Sequence, residues 1–337
     1  MYKKLLVLAL AATCALAAIL TGCTDSSAQP ENHNPADTTA VNIAALKGPT
    51  AMGLVKFMND AETGAVADND YAFQIAASPD ELTPQIAQGT LDIACIPANL
   101  ASVLYNNTGE GVRVLAVNTL GVLYICDRGE SVQSVADLAG KTIYASGKGS
   151  TPEYALNYIL EGNGLTPGVD VTIEWKSEHA ECVAAMAQDP QAIALLPQPF
   201  VTTAQMKDDS IRVALDLTQE WDALQSGAEA SSLITGVVVA RTAFVEEHPE
   251  AVEAFMAHYR DSVAFVNNNT QAAAELIGAY DIVPADVAQK AIPACNIVCI
   301  EGEEMRNALS GYLAVLFEQN PKAVGGALPN DDFYYAA

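Results

Sequence analysis

The feature that most constrains the fold is an alternation of short apolar segments with segments of helical spacing. Runs such as "LDIACI" (residues 91–96) and "ITGVVVAR" (residues 234–241) are typical of buried β-strands. Turns rich in Gly, Pro and Thr then lead into amphipathic stretches, and the spacing predicts a helix over residues 51–59. Strands that alternate with helices favour parallel sheets with helical crossovers. The sequence therefore predicts an α/β fold.

The chain is too long for one compact lobe. From residue 40 onward the sequence exceeds the size at which a single hydrophobic core stops growing. We therefore expect two lobes.

The N-terminus has the pattern of an export signal. Lys3 and Lys4 precede an apolar run over residues 5–20, which ends in "LTGC" at Cys23. This ending resembles the bacterial lipobox, in which the cysteine becomes the first residue and carries lipid; an ordinary secretory signal is the alternative. We predict a lipoprotein signal peptide over residues 1–22 and a flexible polar tether over residues 23–39. No later apolar run reaches the ~20 residues that cross a bilayer.

The formal net charge of −25 argues against partners with an anionic surface. A surface this acidic argues against nucleic acid and against docking to anionic lipid. The charge of a small ligand stays open, because a local positive pocket can form in an acidic protein.

The cysteines predict no disulfide framework, no metal and no cofactor. After Cys23 an odd number of cysteines is scattered along the chain, mostly inside apolar runs. "CNIVC" could form a pair or part of a metal site, but no histidines stand at ligand spacing beside it. Buried thiols are the better interpretation for all five, which are Cys95, Cys126, Cys182, Cys295 and Cys299.

Four turns share one arrangement, in which a predicted strand gives way to a helix. Open α/β sheets bind ligands at the carboxyl ends of their strands, so these turns are candidate ligand contacts. Taken singly, each turn has residue types that are common wherever a strand is followed by a helix. The candidate residues in these turns are Gly48, Pro49, Thr50, Pro97, Asn99, Gly147, Ser150, Thr151 and Gln198.

Each turn offers hydrogen-bonding groups to a ligand. Thr50 and Thr151 are predicted helix caps, and the N–H groups of the first helical turn attract an oxygen atom. Asn99 offers both a donor and an acceptor. The "GKGST" turn is no phosphate-binding P-loop, because the required spacing is absent. Only Lys47 and Lys148 lie near these turns as cations.

Several segments together resemble a known family. "LKGPTAMGLVKFM", "QGTLDIACIPANLASVLYN", "DLAGKTIYASGKGSTPEYALNYILEGNGL" and "ALLPQPFVTTA" are similar to solute-binding lipoproteins of ABC importers, in the nitrate/sulfonate/taurine (NitT/TauT) group. The resemblance covers nearly all of the folded chain. It implies the type II periplasmic-binding-protein fold, in which two lobes, each a mainly parallel sheet flanked by helices, are joined by two crossing strands.

The resemblance also implies domain boundaries and a site. Lobe 1 would combine residues 40–120 with 236–337, lobe 2 would span 121–235, and the ligand would lie in a cleft closed by hinge motion. The four turns would line this cleft. Asn118 and Thr119, near the first crossing strand, are further candidates.

The function that the resemblance implies is capture of a small organic molecule or anion outside the cytoplasm. The partners would be the solute, an ABC permease and its ATPase subunits, and the bacterial cell membrane through the lipid anchor; a monomer is expected. No cation is assured in the cleft, so the solute stays open. The tyrosines near the cleft leave room for a stacked heterocycle such as a pyrimidine precursor; they are Tyr105, Tyr124, Tyr144 and Tyr154.

The alternatives are an enzyme of the pyrimidine-precursor type on the same fold and a surface interaction lipoprotein. The enzyme would need a lysine-bound cofactor with clustered cysteines and histidines. None of His33, His179, His248 and His258 stands beside a candidate nucleophile in the sequence. His179, with glutamates nearby, is interpreted as a solvated helix start. No enzymatic activity is expected.

Overall fold

The computed structural model describes residues 38–225 and 231–336. The predicted signal peptide, Cys23 and the tether up to residue 37, with His33, lie outside these residues. The compact body begins at Thr38. No helix in the described ranges combines the length and the apolar character that a membrane span requires.

The described strands fall into two sheets. The first has the order β11-β4-β10-β3-β1-β2 and the second has the order β7-β6-β8-β5-β9. The strands are β1 Ala40–Leu46, β2 Asp70–Ala76, β3 Ile93–Pro97, β4 Val112–Leu120, β5 Leu123–Arg128, β6 Thr142–Ser146, β7 Thr172–Lys176, β8 Ile193–Pro197, β9 Ile211–Asp216, β10 Ile234–Arg241 and β11 Ile297–Ile300.

Helices connect these strands and flank both sheets. They are α1 Pro49–Met52, α2 Val55–Glu62, α3 Pro79–Gln88, α4 Ala98–Asn107, α5 Thr151–Gly162, α6 His179–Gln188, α7 Phe200–Lys207, α8 Leu217–Leu224, α9 Thr242–Glu247, α10 Pro249–Asn268, α11 Thr270–Ala279, α12 Ala285–Ala291 and α13 Gly302–Gln319. Short 3₁₀ turns lie at Val135–Leu138, Ile292–Ala294, Pro321–Val324 and Asp331–Phe333.

Most strands of each sheet run in one direction. In the first sheet β1 pairs in parallel with β2 and β3, while β10 and β11 run against their neighbours. In the second sheet β6 pairs in parallel with β7 and β8, and only β5 among the described strands is reversed. The prediction of an α/β fold with mainly parallel sheets is confirmed.

Strand register aligns one edge of each sheet. Gly236 pairs with both Pro97 and Thr119, so the ends of β3 and β4 meet the start of β10. In the second sheet Leu123 pairs with Pro197, which brings the start of β5 beside the end of β8. The chain passes between the sheets through residues 121–122 after β4 and again between α8 and β10. These edges are called the first-sheet edge and the second-sheet edge below.

The hydrophobic core is continuous across both sheets. One cluster of buried side chains includes Val117 of β4, Ile143 of β6 and Leu156 of α5, together with Leu313 of α13. A second cluster fills the other face of the first sheet against α2 and α10, and a smaller one lies against the second sheet. The helix α13, at the C-terminal end, therefore packs onto elements of the second sheet as well as the first.

Two local predictions need revision. The helix expected over residues 51–59 is split at Gly53 and Leu54. A Cβ atom at Gly53 would lie 2.9 Å from the Tyr259 hydroxyl, so α1 packs against α10 too closely for a larger residue. The strand β11 is not predicted from the sequence, because it is short and pairs with β4 at two positions only.

All five described cysteines are free thiols, and only Cys299 is partly exposed.

Candidate functional site

The first-sheet and second-sheet edges adjoin. The Asn296 side-chain amide donates to the carbonyl of Gly121, between β4 and β5. The Tyr124 hydroxyl of β5 lies 3.5 Å from the Ala294 carbonyl. The turns after β1, β3, β6 and β8, which carry the predicted contacts, all lie at these edges.

The turn after β1 does not have the predicted cap. Gly48 occupies the cap position of α1 with φ of 123°, a conformation that favours glycine, and Pro49 is the first helical residue. Thr50 is buried, and its hydroxyl donates to the carbonyl of Leu46 at 2.8 Å. The prediction that Thr50 caps the helix is therefore wrong. Because its proton is already used, this hydroxyl can offer a ligand only a lone pair.

Thr50 lies beside the crossing strands. A Cβ atom on Gly236 would lie 2.5 Å from Oδ1 of Asn118 and 2.6 Å from Cγ2 of Thr50. The Thr119 hydroxyl donates to the same Oδ1 at 3.0 Å. The fully buried amide nitrogen of Asn118 has no hydrogen-bond partner among the described residues. The structure thus brings Thr50, Asn118 and Thr119 together at the first-sheet edge.

Burial raises the pKa of two groups near this amide. The pKa of the Cys95 thiol rises to about 12, and that of the Tyr259 hydroxyl rises well above its ordinary value. Both groups are therefore neutral at physiological pH.

Asn99 has a structural partner away from Thr50. Pro97 ends β3, and Asn99 in the first turn of α4 donates its amide to a carbonyl of the 3₁₀ turn Pro321–Val324 at 3.2 Å. Ser102 and Asn106 lie on the same helix face and donate to that turn at 2.8 and 2.7 Å. This polar face therefore fastens the C-terminal segment to α4.

The turn after β6 also caps its helix differently from the prediction. Ser150, and not Thr151, occupies the cap position of α5, and its hydroxyl donates to the carbonyl of Gly147 at 2.8 Å. Gly147 has a positive φ of 83°, and a Cβ atom there would lie 2.8 Å from Pro152. Thr151 is only 1% exposed, and its hydroxyl accepts a hydrogen bond from Tyr312 at 3.1 Å.

Gln198 is held by its own turn. Its side-chain oxygen accepts from the Thr202 hydroxyl at 2.9 Å and from the Thr202 backbone N–H at 3.3 Å. Its backbone N–H donates to the Val122 carbonyl at 2.9 Å. The Gln198 side chain therefore shapes the turn between β8 and α7.

Sequence reasoning missed a group at the second-sheet edge, which we name the His179 group: Ser146, His179 and Phe200. The Ser146 hydroxyl, at the end of β6, shares a hydrogen bond with Nδ1 of His179. The imidazole ring lies 5.1 Å from the ring of Phe200, the first residue of α7. His179 is the first residue of α6, as expected, but it is only partly exposed, because β6 and α7 supply neighbours that the adjacent sequence does not show.

Burial keeps His179 neutral. Desolvation lowers the pKa of its imidazole to about 4. Ser146 occupies Nδ1, and Nε2 has no hydrogen-bond partner among the described residues. In the tautomer in which Ser146 donates, Nε2 carries the proton and is a neutral donor. The signal for this group is present in the sequence, since "KSEHAEC" is a fifth turn from a strand into a helix.

The edges offer few cations. Lys47 pairs with Asp281 at 3.1 Å, Lys176 pairs with Glu174 at 2.6 Å, and Lys148 is exposed. Every arginine is ion-paired with a carboxylate, in the pairs Arg113–Glu246, Arg128–Asp208, Arg212–Asp127, Arg241–Asp92, Arg260–Glu301 and Arg306–Asp331. In the described part of the chain, the site therefore presents neutral donors without a buried cation.

The four tyrosines have different surroundings. Tyr124 reaches the junction between the edges, and burial raises its pKa to about 12. The ring of Tyr105 lies 5.1 Å from that of Phe333, and the ring of Tyr144 lies 5.0 Å from the Lys176 ammonium. Tyr154 is partly exposed on α5. Of these four, Tyr124 is the candidate to contact a ligand.

A separate cavity of about 270 Å³ lies between α2 and α10, beside the start of β2. Lys56 pairs with Asp60, and His258 shares a hydrogen bond of 2.8 Å with Asp68. The cavity is lined by none of the predicted contact residues.

Open α/β sheets bind ligands at the carboxyl ends of their strands, and in this protein polar turns lie at two such adjoining edges. A family model described as "ABC transporter, phosphonate, periplasmic substrate-binding protein" matches residues 63–289, more than half of the chain. The chain belongs to this family. It is therefore a solute-binding protein of an ABC importer that acts outside the cytoplasm. None of the curated proteins compared with the chain matches its sequence.

Solved structures support the fold. An ABC transporter protein from Parabacteroides distasonis is 22% identical, with a TM-score of 0.72, over 88% of this chain and 99% of that one. The periplasmic aliphatic sulphonate binding protein SsuA from Escherichia coli is 18% identical, with a TM-score of 0.71, over 89% and 93%. The periplasmic nitrate-binding protein NrtA from Synechocystis is 14% identical, with a TM-score of 0.57, over 74% and 69%. At these identities the likeness concerns the fold alone.

Proposed function

We propose that the solute is a small organic oxyanion, of the phosphonate or sulfonate class, held by neutral donors where the two sheet edges adjoin. The observation that carries this proposal is the His179 group, which presents a partly buried neutral imidazole beside an aromatic ring. Neutral N–H and O–H donors stabilise an oxyanion without a cation when they are fixed in place. The rings of Phe200 and Tyr124 suit an organic substituent. Phosphonate, sulphonate and nitrate in the names of the family and its structural neighbours share this oxyanion chemistry.

We propose the following contacts to the solute. Thr50 acts through the geometry of its turn, because its hydroxyl proton already has a partner. Asn99 keeps a buried side-chain oxygen, and Gln198 keeps a side-chain nitrogen, without a partner among the described residues, so each can contact the solute. Asn118 and His179 offer side-chain donors. The complete proposed set is Gly48, Pro49, Thr50, Pro97, Asn99, Asn118, Ser146, Gly147, Ser150, Thr151, His179 and Gln198.

We also propose that the two sheets are the centres of two lobes. Lobe 1 would comprise residues 40–120 with 236–337, and lobe 2 would comprise residues 121–235. Sheet membership supports this division, since β1–β4, β10 and β11 form the first sheet and β5–β9 form the second. Closure would be a hinge motion about the two crossings.

The mature protein would be a monomer anchored by lipid on Cys23, after removal of residues 1–22. The support is the "LTGC" ending of the apolar run and the polar segment after it. The permease and ATPase subunits of the importer would be its protein partners. A Cys23→Ser variant expressed in a bacterium with lipoprotein processing would leave the membrane fraction; retention there would contradict the anchor.

The protonation states of the buried thiols and of His179 fit a protein that binds its solute without catalysing a reaction. Burial raises the pKa of the Cys126 and Cys295 thiols to about 12 and that of Cys182 to about 11, which suppresses the nucleophilic thiolate. His179 uses Nδ1 for Ser146 and has no carboxylate partner among the described residues, so it lacks the orienting group of a catalytic dyad. We therefore propose that the protein is not an enzyme.

A thermal-shift experiment tests the proposed solute class. The probes are methylphosphonate, aminoethylphosphonate, taurine, ethanesulfonate, nitrate and the pyrimidine precursor of thiamine. A solute at a hundredfold excess over its Kd stabilises the folded protein by about 2.7 kcal/mol. We expect a phosphonate or sulfonate to raise the midpoint of the wild type.

The matched variants are His179→Gln at the site and His258→Gln at the separate cavity between α2 and α10. The His258 variant is expected to respond as the wild type does, and the His179 variant to lose most of the shift. An equal response of both variants would contradict the site. A response to the pyrimidine precursor alone would contradict the solute class.

A further inference from the structure

Tyr312 links the C-terminal helix to the second-sheet half of the site. It lies on α13, is fully buried, and donates its hydroxyl to the Thr151 hydroxyl at 3.1 Å. Thr151 is the first residue of α5, directly after the turn that follows β6. The bond therefore spans 161 positions of sequence and reaches from an element of the C-terminal segment to a proposed contact turn.

The surroundings of this bond are apolar and aromatic. The ring of Trp221 on α8 lies 5.6 Å from the Tyr312 ring and 4.4 Å from the Tyr158 ring of α5. Burial raises the pKa of Tyr312 above its ordinary value, and the bond to Thr151 opposes that shift. A hydrogen bond in such surroundings has no water to compete with it, so it holds its two partners in one geometry.

The position of Thr151 determines which part of the site the Tyr312–Thr151 hydrogen bond holds in place. Ser146 and Gly147 precede it in the turn, and Ser146 is the hydrogen-bond partner of His179. When Thr151 is fixed, the first turn of α5 and the end of this loop are fixed with it. Release of Thr151 would let the Ser146 side of the His179 group move.

We propose that Tyr312 is a positioning residue of the solute site. Through Thr151 it holds the first turn of α5 and the turn after β6 in the geometry that binds solute, and it does so without touching the solute. This inference rests on the proposed function, since it needs the second-sheet edge to be the binding edge.

The chain supplies a matched control in Tyr259. It is also a fully buried tyrosine on a helix that packs against the first sheet, and its hydroxyl has no hydrogen-bond partner among the described residues. Tyr312→Phe and Tyr259→Phe remove the same atom from similar surroundings. Only the first removes a bond to α5.

Hydrogen exchange of the full chain in detergent, with no solute added, tests the positioning. We expect Tyr312→Phe to speed exchange of amides in residues 147–158 about fivefold and to leave α10 unchanged. Thr151→Val removes the same bond from the other side and is expected to give the same local change. Wild-type exchange in both variants, or a uniform increase along the chain, would overturn the inference.

Titration with methylphosphonate separates this inference from the proposed function. Tyr312→Phe is expected to weaken binding about fivefold, while Tyr259→Phe keeps wild-type affinity. Equal affinity of the two phenylalanine variants, despite a change in exchange, would overturn the positioning role. A wild-type protein that does not bind methylphosphonate would contradict the proposed solute, and the exchange result would still decide whether Tyr312 positions α5.

Discussion

The two sheet edges use similar residue types for different purposes. At the first-sheet edge, Thr50 donates to a strand carbonyl and Asn99 donates to a C-terminal turn, so these side chains hold the backbone together. At the second-sheet edge, the His179 group leaves a ring nitrogen with no partner among the described residues. A polar side chain at the end of a strand is therefore a ligand contact only when the fold leaves it an unused donor or acceptor.

The difference has a simple physical origin. A turn between a single strand and helix satisfies one polar atom of its side chain locally, as the Thr50 hydroxyl and the Gln198 side-chain oxygen show. The His179 group is assembled from β6, α6 and α7, and no single turn supplies enough partners for it. The first-sheet edge would then supply rigid shape and the Asn118 amide, and the second-sheet edge would supply the imidazole donor of His179. The predictions below test this division.

The largest effect is expected for Gly236→Ala, which tests the rigidity of the first-sheet edge. The new Cβ atom would overlap with Asn118 and Thr50, and relief requires movement of two buried side chains. We expect a loss of about 3 kcal/mol in the free energy of unfolding. Urea denaturation measures it.

The control for this variant is Gly311→Ala on α13, where the nearest atom outside its own helix would lie 3.3 Å away. Alanine also favours a helix more than glycine does, so we expect a change within about 1 kcal/mol. An unchanged free energy of unfolding for Gly236→Ala would show that the first-sheet edge is not the rigid half of the site.

A pH effect of intermediate size should come from the second-sheet edge. The folded state holds the pKa of His179 near 4, against an ordinary value of 6.5. Between these values the unfolded chain binds the proton first, so the free energy of unfolding falls as the pH is lowered through this window. From this group alone we expect a loss of about 2 kcal/mol between about pH 7 and about pH 5.

The difference between the wild type and His179→Gln isolates this contribution, because other groups titrate in both. Above about pH 7 the two curves should run parallel. Parallel curves throughout the acid range would show that the imidazole is solvated, and the contrast between the edges would fail.

A smaller effect distinguishes the two edges in binding. His179→Gln replaces the imidazole donor with one of different reach, whereas Thr50→Val removes a hydroxyl whose proton is already used. We expect His179→Gln to weaken solute binding about tenfold and Thr50→Val to weaken it by less than about threefold. Calorimetric titration with the solute identified by thermal shift measures both. The reverse order would move the donor set to the first-sheet edge.

The smallest effect is expected for the exposed lysines near the turns. Lys47→Ala and Lys148→Ala should each change affinity by less than about twofold at physiological salt, because exposed charges are screened. The same titration measures these changes. A tenfold loss for either variant would show that a cation completes the site.

Much of the fold could be predicted because its signals are local. Glycine, proline and small polar residues mark the ends of strands, so the turns at Gly48, Pro97 and Gly147 could be located from sequence. The caps were misplaced by one or two residues, because Gly48 and Ser150 suit the cap position as well as the threonines that follow them. Such errors lie within the normal uncertainty of helix ends.

The partners across the fold could not be predicted. Ser146 and His179 are 33 positions apart, and Thr151 and Tyr312 are 161 positions apart. Nothing in a single sequence records such pairings. His179 was accordingly judged by the glutamates beside it, which are exposed, and not by Ser146 and Phe200, which surround it.

The most direct test of the central claim is an NMR titration of the histidine side chains with the solute found by thermal shift. The resonances of His179 report on the junction of the sheet edges, and those of His258, which is hydrogen-bonded to Asp68, report on the separate cavity between α2 and α10. We expect a saturable change in the His179 resonances at the solute Kd, with His258 unchanged. A change at His258 alone, or binding that leaves His179 unchanged, would contradict the assignment of the solute site to the adjoining edges.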